Sequence, residues 1–505
     1  MTLTLIDWII IVVYLAGCMA AGIWMKRFVR GVEDFAIAGR EMDVNLGIAS
    51  LAATELGLVT IMYTAELGFR QGFAGATIGV IMALAMYFVG RTGFIIAPLR
   101  RAGVITIPEL FEKRFGTKVR WLAGLFVVLG GLLNMGIFLR LGGDFLVHAT
   151  GMPPSWLEWV MTILLGMVLL YTVLGGMLSV LITDYLQFLV LGFGIVVTSV
   201  LVVCDIGWAD LVNGLSNCWS ASQAGTSPAG LKMDGHPFNP MHASWGYILW
   251  QIVFQIAAVT TWQTQVSRVL AAKDEHVAKK VYTRTAFYYV GRFGLPGLWG
   301  AAALIYFTKK GGLPAGLDSL TAMPAYLSTI LPIGLIGIVI AGMLAAEMST
   351  DSGYLLTWAT VIYNDLIMPC VKNPLSAKTK LLITRSLVLV IGLFLLFYGL
   401  WYKVPGKAWD YLAVTGNIYL GSVFTLLVAG LYWKRATSTG AFAALVLGAV
   451  GPITFLIVNA NVIDKTKQIA PEVAGASSFG LAFAGMIIGS LLTSAKPQLL
   501  EGKSL

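Results

Sequence analysis

The residues best suited to chemistry stand in AGMLAAEMSTDSG, residues 341–353. On a helix, Ala346, Ser349 and Thr350 fall at i, i+3 and i+4, so one backbone carbonyl and two hydroxyls converge on a single face. Hard oxygens in that arrangement suit a small monovalent cation such as sodium, which needs further ligands. Carbonyls freed where a second helix unwinds can supply them, and LAATELGLVT (51–60) offers Ala53 and Leu56. Serines and threonines also bond back to the preceding turn or tie helices together, and spacing alone does not separate these uses.

These residues need elements to hold them, and composition says what the elements are. Of 505 residues, 58% are hydrophobic and only 12% charged, too little polar surface to cover a water-soluble globule of this length. Apolar runs long enough to cross a bilayer recur from end to end. They read as about thirteen spans of roughly 20 residues, centred near Val13, Leu58, Leu84, Leu132, Leu165, Leu191, Val259, Leu298, Ile340, Val390, Phe424, Leu445 and Ala484. The expected fold class is therefore an all-α integral membrane protein.

MTLTLID lacks a basic n-region and KRFVR follows the first apolar run, which argues against a cleaved signal and for an N-terminus outside. The C-terminus is then cytoplasmic. About 23 of the 34 lysines and arginines fall in loops this topology places inside, and about 8 in external ones, as the positive-inside rule requires. The formal charge of +9 thus reflects anchoring beside anionic headgroups of the cell (inner) membrane and calls for no nucleic acid.

Polar and small residues interrupt the spans at 53–57 and at 260–263 (TTWQ), where any non-helical backbone must face protein or a watery cavity. Each interruption opens a block of five spans. An odd number of spans per block inverts the second block, which suits an inverted repeat. The divisions read as a leading helix and cytoplasmic loop (1–44), a first repeat (45–204), an external loop (205–244), a second repeat (245–433) and two trailing helices with a short tail (434–505). The piece ITIPELFEKRFG (105–116) reads as an amphipathic connector.

Arg140 and Asp144, four apart, most simply neutralise each other. His148, His236, His242 and His276 lack metal-ligand spacing. Cys204 and Cys218 fall near one face, where an oxidising compartment would let them pair. The spans hold no paired His and Asp cluster and no nucleophile motif, and the tail SAKPQLLEGKSL leaves no room for a kinase, so no enzymatic activity is expected.

FAIAGREM, LYTVLGGMLSVLITDYLQ, QVSRVLAAKD, AAEMSTDS and GLYWKRAT stand in the order and spacing of the sodium/solute symporter family, which this chain resembles over nearly its whole length. The resemblance implies a LeuT-type fold, a five-plus-five inverted repeat between one leading and two trailing helices. It places sodium on Ala53, Leu56, Ala346, Ser349 and Thr350. Asp184 in ITDYLQ matches an aspartate near the cytoplasmic sodium exit. Some relatives add a second sodium on that aspartate and two serines, where this chain has Ser352 but then Gly353.

The same resemblance sets Glu55, Gly57 and Thr60 on the segment that lines the substrate pocket in sialic acid transporters of the family. Trp262 and Gln263 resemble a pocket WQ of its choline transporters. Asn134 matches the place where the sialic acid transporters put a carboxylate-binding arginine, which disfavours sialate. At Glu55 an uncompensated charge would cost several kcal/mol. Its carboxylate can bond to neighbouring helices, meet a cationic group on a solute, supplement the sodium field or carry a proton. Trp262 can hold an ammonium over its ring or stack on a sugar, or serve core packing.

Glu347 points about 100° away from the ion face, protonated or paired with an arginine. The expected function is sodium-coupled import of a small organic solute, amine- or amino-acid-like, by a protein working as a single chain in the bilayer with sodium as coupling ion and no cofactor. A sodium-coupled sugar symporter and a proton-coupled symporter using Glu55 or Glu347 are the alternatives.

Overall fold

A computed structural model describes residues 3–29, 31–228, 230–241, 245–401, 408–462 and 467–493. His242 and the tail at 494–505 lie outside the described residues. The described chain is helical, and each predicted span centre falls in a helix. Nine stretches among the described residues are long and apolar enough to cross a membrane. The expected count of thirteen differs for three reasons. Leu58–Thr92 and Pro154–Ile206 each hold two predicted centres, Trp245–Thr261 is cut to 17 residues by the break at Trp262, and Tyr288–Lys309, which holds Leu298, is not among the nine apolar stretches. Large apolar side chains such as Ile9, Val13, Leu189, Phe193 and Leu393 face outward, as lipid contact requires. The chain is a multi-pass membrane protein.

The helices that position the site are α1 (Leu5–Trp24), α2 (Val44–Glu55), α3 (Leu58–Gln71), α4 (Thr77–Thr92), α5 (Thr117–Met135), α6 (Phe138–Thr150), α7 (Leu157–Ile206), α8 (Trp245–Thr261), α9 (Gln263–Ala271), α10 (Tyr288–Lys309), α11 (Leu335–Val361), α12 (Ala377–Trp401) and α13 (Ala408–Tyr432). Thr4 and Asp7 cap α1 reciprocally. Asp7 also accepts from the amides of Gly334 and Gly337 at 2.8 and 3.1 Å, which ties α1 to the start of α11. From Val339 to Val361 every residue of α11 is buried, so this helix is the axis of the bundle.

α7 is two spans joined at Gly176, whose φ of 54° and ψ of −144° suit only glycine. A side chain there would also meet the Phe35 ring and carbonyl. The expected external loop instead contains a helix, Trp208–Ala224, burying Leu211, Leu215 and Cys218. Its glycine, serines and asparagines hide that period in the sequence. Cys204 and Cys218 are both free, and Cys218 lies 3.5 Å from the Thr308 hydroxyl. Arg140 and Asp144 do pair, at 3.9 Å. The connector at 105–116 carries a helix, Ile107–Phe115, with its apolar face buried.

α3 and α10 meet backbone to backbone. A Cβ on Gly68 would fall 1.9 Å from the Gly297 carbonyl oxygen, and one on Gly300 would fall 1.8 Å from that of Ala65. This close approach sets α10 beside the break between α2 and α3. Gly300→Val is therefore expected to destabilise the fold by about 1–3 kcal/mol or more through overpacking. A thermal unfolding midpoint equal to that of the parent protein would contradict this contact.

Candidate functional site

The helical ladder stops inside the first interruption. The Leu56 amide still bonds to the Ala52 carbonyl at 3.2 Å, and the ladder resumes only with Ile61 bonding to Gly57 at 3.2 Å. Leu56 (φ −102°, ψ 56°) and Gly57 (φ −63°, ψ 160°) turn the backbone between them. Two of the freed carbonyls are claimed by hydroxyls: Thr54 accepts from Thr350 at 2.8 Å and Glu55 from Thr60 at 3.2 Å. Those of Ala53 and Leu56 accept no hydrogen bond among the described residues. A buried carbonyl left over in this way is available to a cation.

α11 faces that break. Thr350 packs so closely on Gly57 that a Cβ there would stand 2.4 Å from its hydroxyl oxygen. Ser349 donates to Asp184 at 2.5 Å, and Ser352 bonds back to the Ser349 carbonyl at 3.1 Å. Ala346 is fully buried on the same face. The five residues expected to hold sodium thus come from two helices in direct contact. Gly57, expected in the substrate pocket, instead abuts Thr350 and is absent from the cavity wall.

Asp184 sits in a buried polar network. One carboxylate oxygen accepts from Ser349, the other from Ser50 (2.6 Å), Thr54 (3.3 Å) and Arg268 (3.5 Å). Arg268 further donates to Thr54 at 2.6 Å and to the Thr264 carbonyl at 3.0 Å. Arg268 belongs to the motif QVSRVLAAKD, and an arginine in a buried helix was the available signal for it.

Next to the break lies a cavity with about 90 Å³ open to the centre of a water-sized sphere. Glu55, Thr60, Asn134 and Trp262 line it, as expected, together with Gln255, Gln265, Arg292 and Tyr354. Glu55 stands 3.4 Å from Arg292 of α10 and accepts from Gln265 at 2.9 Å and Thr264 at 3.4 Å. Arg292 also reaches the hydroxyls of Thr60 at 3.1 Å and Tyr63 at 3.4 Å. Asn134 donates to the Leu412 carbonyl at 2.8 Å.

The second interruption falls at Trp262, whose extended backbone (φ −63°, ψ 110°) separates α8 from α9. Its indole donates to Tyr354 at 2.8 Å and stacks on Tyr419 at 5.6 Å. Gln263, expected in the pocket, is turned away, and its side-chain oxygen accepts from the Ile107 amide at 3.3 Å. Gln265, two residues further along the same helix, lines the cavity instead. Among the described residues Glu347 has no arginine partner, and its carboxylate has no hydrogen bond.

Residues 35–448 match the sodium:solute symporter family. A sodium/glucose cotransporter of Vibrio parahaemolyticus is 27% identical over 485 residues, covering 90% of this chain and 85% of that protein. The human sodium/myo-inositol cotransporter is also 27% identical, over 83% of this chain and 62% of its own length. Among solved structures, a sodium-coupled sialic acid symporter in a substrate-bound, outward-open state superposes with a TM-score of 0.81 at 20% identity, covering 98% of this chain and 99% of its own. Mhp1, a nucleobase-cation-symport-1 family transporter, does so with a TM-score of 0.57 at 14% identity, covering 92% and 96%. The fold is that of LeuT-type transporters.

Proposed function

Since the chain belongs to the sodium:solute symporter family, we propose that it couples the inward movement of sodium to import of a small organic solute carrying no net charge. The single observation behind the solute class is the Glu55–Arg292 pair, in which the one carboxylate on the cavity wall is answered 3.4 Å away by a guanidinium on the same wall. A cationic amine would meet no unbalanced negative charge there, and an anion no unbalanced positive one. Around this pair, Trp262, Phe138, Phe254, Phe293, Tyr354 and Trp409 supply flat apolar walls, while Gln255, Gln265, Asn134 and Thr60 supply hydrogen-bonding groups. That mixture suits a sugar or polyol, whose ring stacks while its hydroxyls bond.

The same pair also favours a second reading. Its two charges can be shared out to the ammonium and carboxylate of a zwitterionic amino acid, which is likewise neutral overall. Either solute would lie beside Thr350, which lines the cavity and also touches the break.

Sodium on Ala53, Leu56, Ala346, Ser349 and Thr350 would then hold the break and α11 together. Solute binding would favour the same closed arrangement, so each ligand strengthens the other, typically by about 1–3 kcal/mol. In an alternating-access cycle, Asp184 and Arg268 would stand on the exit side and offer a departing cation a transient partner. An inverted repeat at 45–204 and 245–433, an N-terminus outside the cell and function as a single chain complete this reading.

Purified protein in liposomes tests it directly. With an inward sodium gradient, accumulation is expected for a sugar, a polyol such as myo-inositol, or a zwitterion such as proline, and not for choline or sialic acid. Equal uptake in potassium and in sodium would refute the coupling. Sodium-driven uptake of choline alone would refute the solute class while leaving the coupling intact.

A further inference from the structure

Two aromatic side chains beneath the cavity carry polar tips that nothing answers. Trp358 of α11 and Tyr419 of α13 are fully buried, and neither the Trp358 N–H nor the Tyr419 hydroxyl has a hydrogen-bond partner among the described residues. The Tyr419 hydroxyl faces the main-chain amide of Gln263, itself a donor, so its own proton finds no acceptor there. Buried donors are rarely left in this way, because each has given up its water for nothing.

Helix spacing fixes where the two tips lie. Asn134 of α5 and Tyr354 of α11 line the cavity; Gly131 stands one turn from the first and Trp358 one turn from the second. Both steps lead toward the face where Arg120, near the start of α5, pairs with Asp365, just past the end of α11, at 2.9 Å. In the orientation proposed above, that face is cytoplasmic. A Cβ on Gly131 would fall 2.5 Å from the Trp358 ring carbon bonded to the indole nitrogen, and one on Gly130 would fall 2.8 Å from the Tyr419 ring. Two adjacent glycines thus seat both rings on α5. Trp262 covers them, stacked on Tyr419 and edge-on to Trp358 with ring centres 6.4 Å apart. Trp262 lines the cavity whereas Tyr419 and Trp358 do not, so its indole separates the two donors from the solute.

We propose that Tyr419 and Trp358 form a transit subsite for the solute, one turn inward of the cavity. Two donors without acceptors suit a ligand that brings acceptor oxygens, such as the hydroxyls of a sugar or polyol or the carboxylate of a zwitterion. A solute leaving past Trp262 gives up its bonds to groups such as Asn134, Gln255 and Gln265 before it reaches water. The O–H of Tyr419 and the N–H of Trp358 replace part of that loss on the way, and the ring of Tyr419 offers a second flat surface. Donors that are unsatisfied while the path is shut stabilise the solute only when it moves, so they lower the barrier to release without tightening binding in the cavity.

This inference rests on the solute-import reading, and Tyr419→Phe, which removes one donor and keeps the ring, tests it. In liposomes with an inward sodium gradient, the probe is whichever of D-glucose, myo-inositol and L-proline the parent accumulates. The maximal rate of the variant is expected to fall about fivefold or more, with the half-saturating concentration unchanged. Its unfolding midpoint should equal or exceed the parent's, since no bond of the closed protein is lost. A parent-like rate, the outcome if water alone meets the hydroxyl, overturns the proposal. A raised half-saturating concentration at an unchanged rate overturns it too, by placing Tyr419 in the cavity, and so does a lowered midpoint, by giving the hydroxyl a structural partner. Trp358→Phe deletes the other donor and should slow uptake likewise; the parent's rate there counts equally against the subsite. A parent that accumulates none of the three solutes fails the import reading instead, while the midpoint comparison still tests the unpartnered hydroxyl.

Discussion

Thr350→Ala is expected to raise the sodium concentration for half-maximal uptake at least about tenfold, equivalent to about 1.4 kcal/mol of lost binding. The Thr350 hydroxyl bonds to the Thr54 carbonyl at 2.8 Å and so joins α11 to the break between α2 and α3. Alanine removes one proposed ligand and that link together. Thr350→Ser keeps the oxygen and should restore most of the affinity, which separates the hydroxyl's role from a general loss of packing. Gly57→Ala should mimic the deletion, because its new Cβ would lie 2.4 Å from the hydroxyl oxygen and displace it. Sodium-dependent thermal stabilisation measures the affinity without a known solute. Thr350→Ala protein with the parent's sodium dependence would remove the ion from this place.

Glu55→Ala carries the largest expected cost in stability. It leaves Arg292 buried, 8% exposed at its side chain, without its carboxylate partner. Breaking such a pair from one side typically costs about 3–5 kcal/mol, because the remaining charge keeps its desolvation penalty and loses its compensation. Low yield and a lowered unfolding midpoint should follow. The double substitution Glu55→Gln/Arg292→Met removes both charges and should recover most of that stability while uptake stays abolished. If Glu55→Ala unfolds at the parent's temperature, the guanidinium is compensated by something other than Glu55, and the argument for a neutral solute goes with it.

The two predictions differ in how far the sequence foreshadowed them. Ala346, Ser349 and Thr350 are legible because all three belong to one uninterrupted helix, where spacing dictates which side chains share a face. The break is legible too, since Glu55 and Gly57 disturb an otherwise apolar run. Past Trp262 this logic fails. An extended residue between two helices resets the phase, so a likeness to a WQ motif points to Gln263 without fixing which way its side chain turns, whereas Gln265 reaches the cavity. The polar segment near 208–224 misleads in the opposite direction, because a helix can bury a narrow apolar stripe while its remaining faces read as loop.

By itself, then, the sequence determined that the chain crosses a membrane many times, where two of its helices break, and which helix face carries hydroxyls. Each follows from contacts within a few turns or from bulk hydrophobicity. Only the tertiary structure decided which charges compensate one another. Arg292 meets Glu55 across 237 residues and Arg268 meets Asp184 across 84. Electrostatic partners inside a low-dielectric bundle depend on how distant helices pack, and no local spacing encodes that.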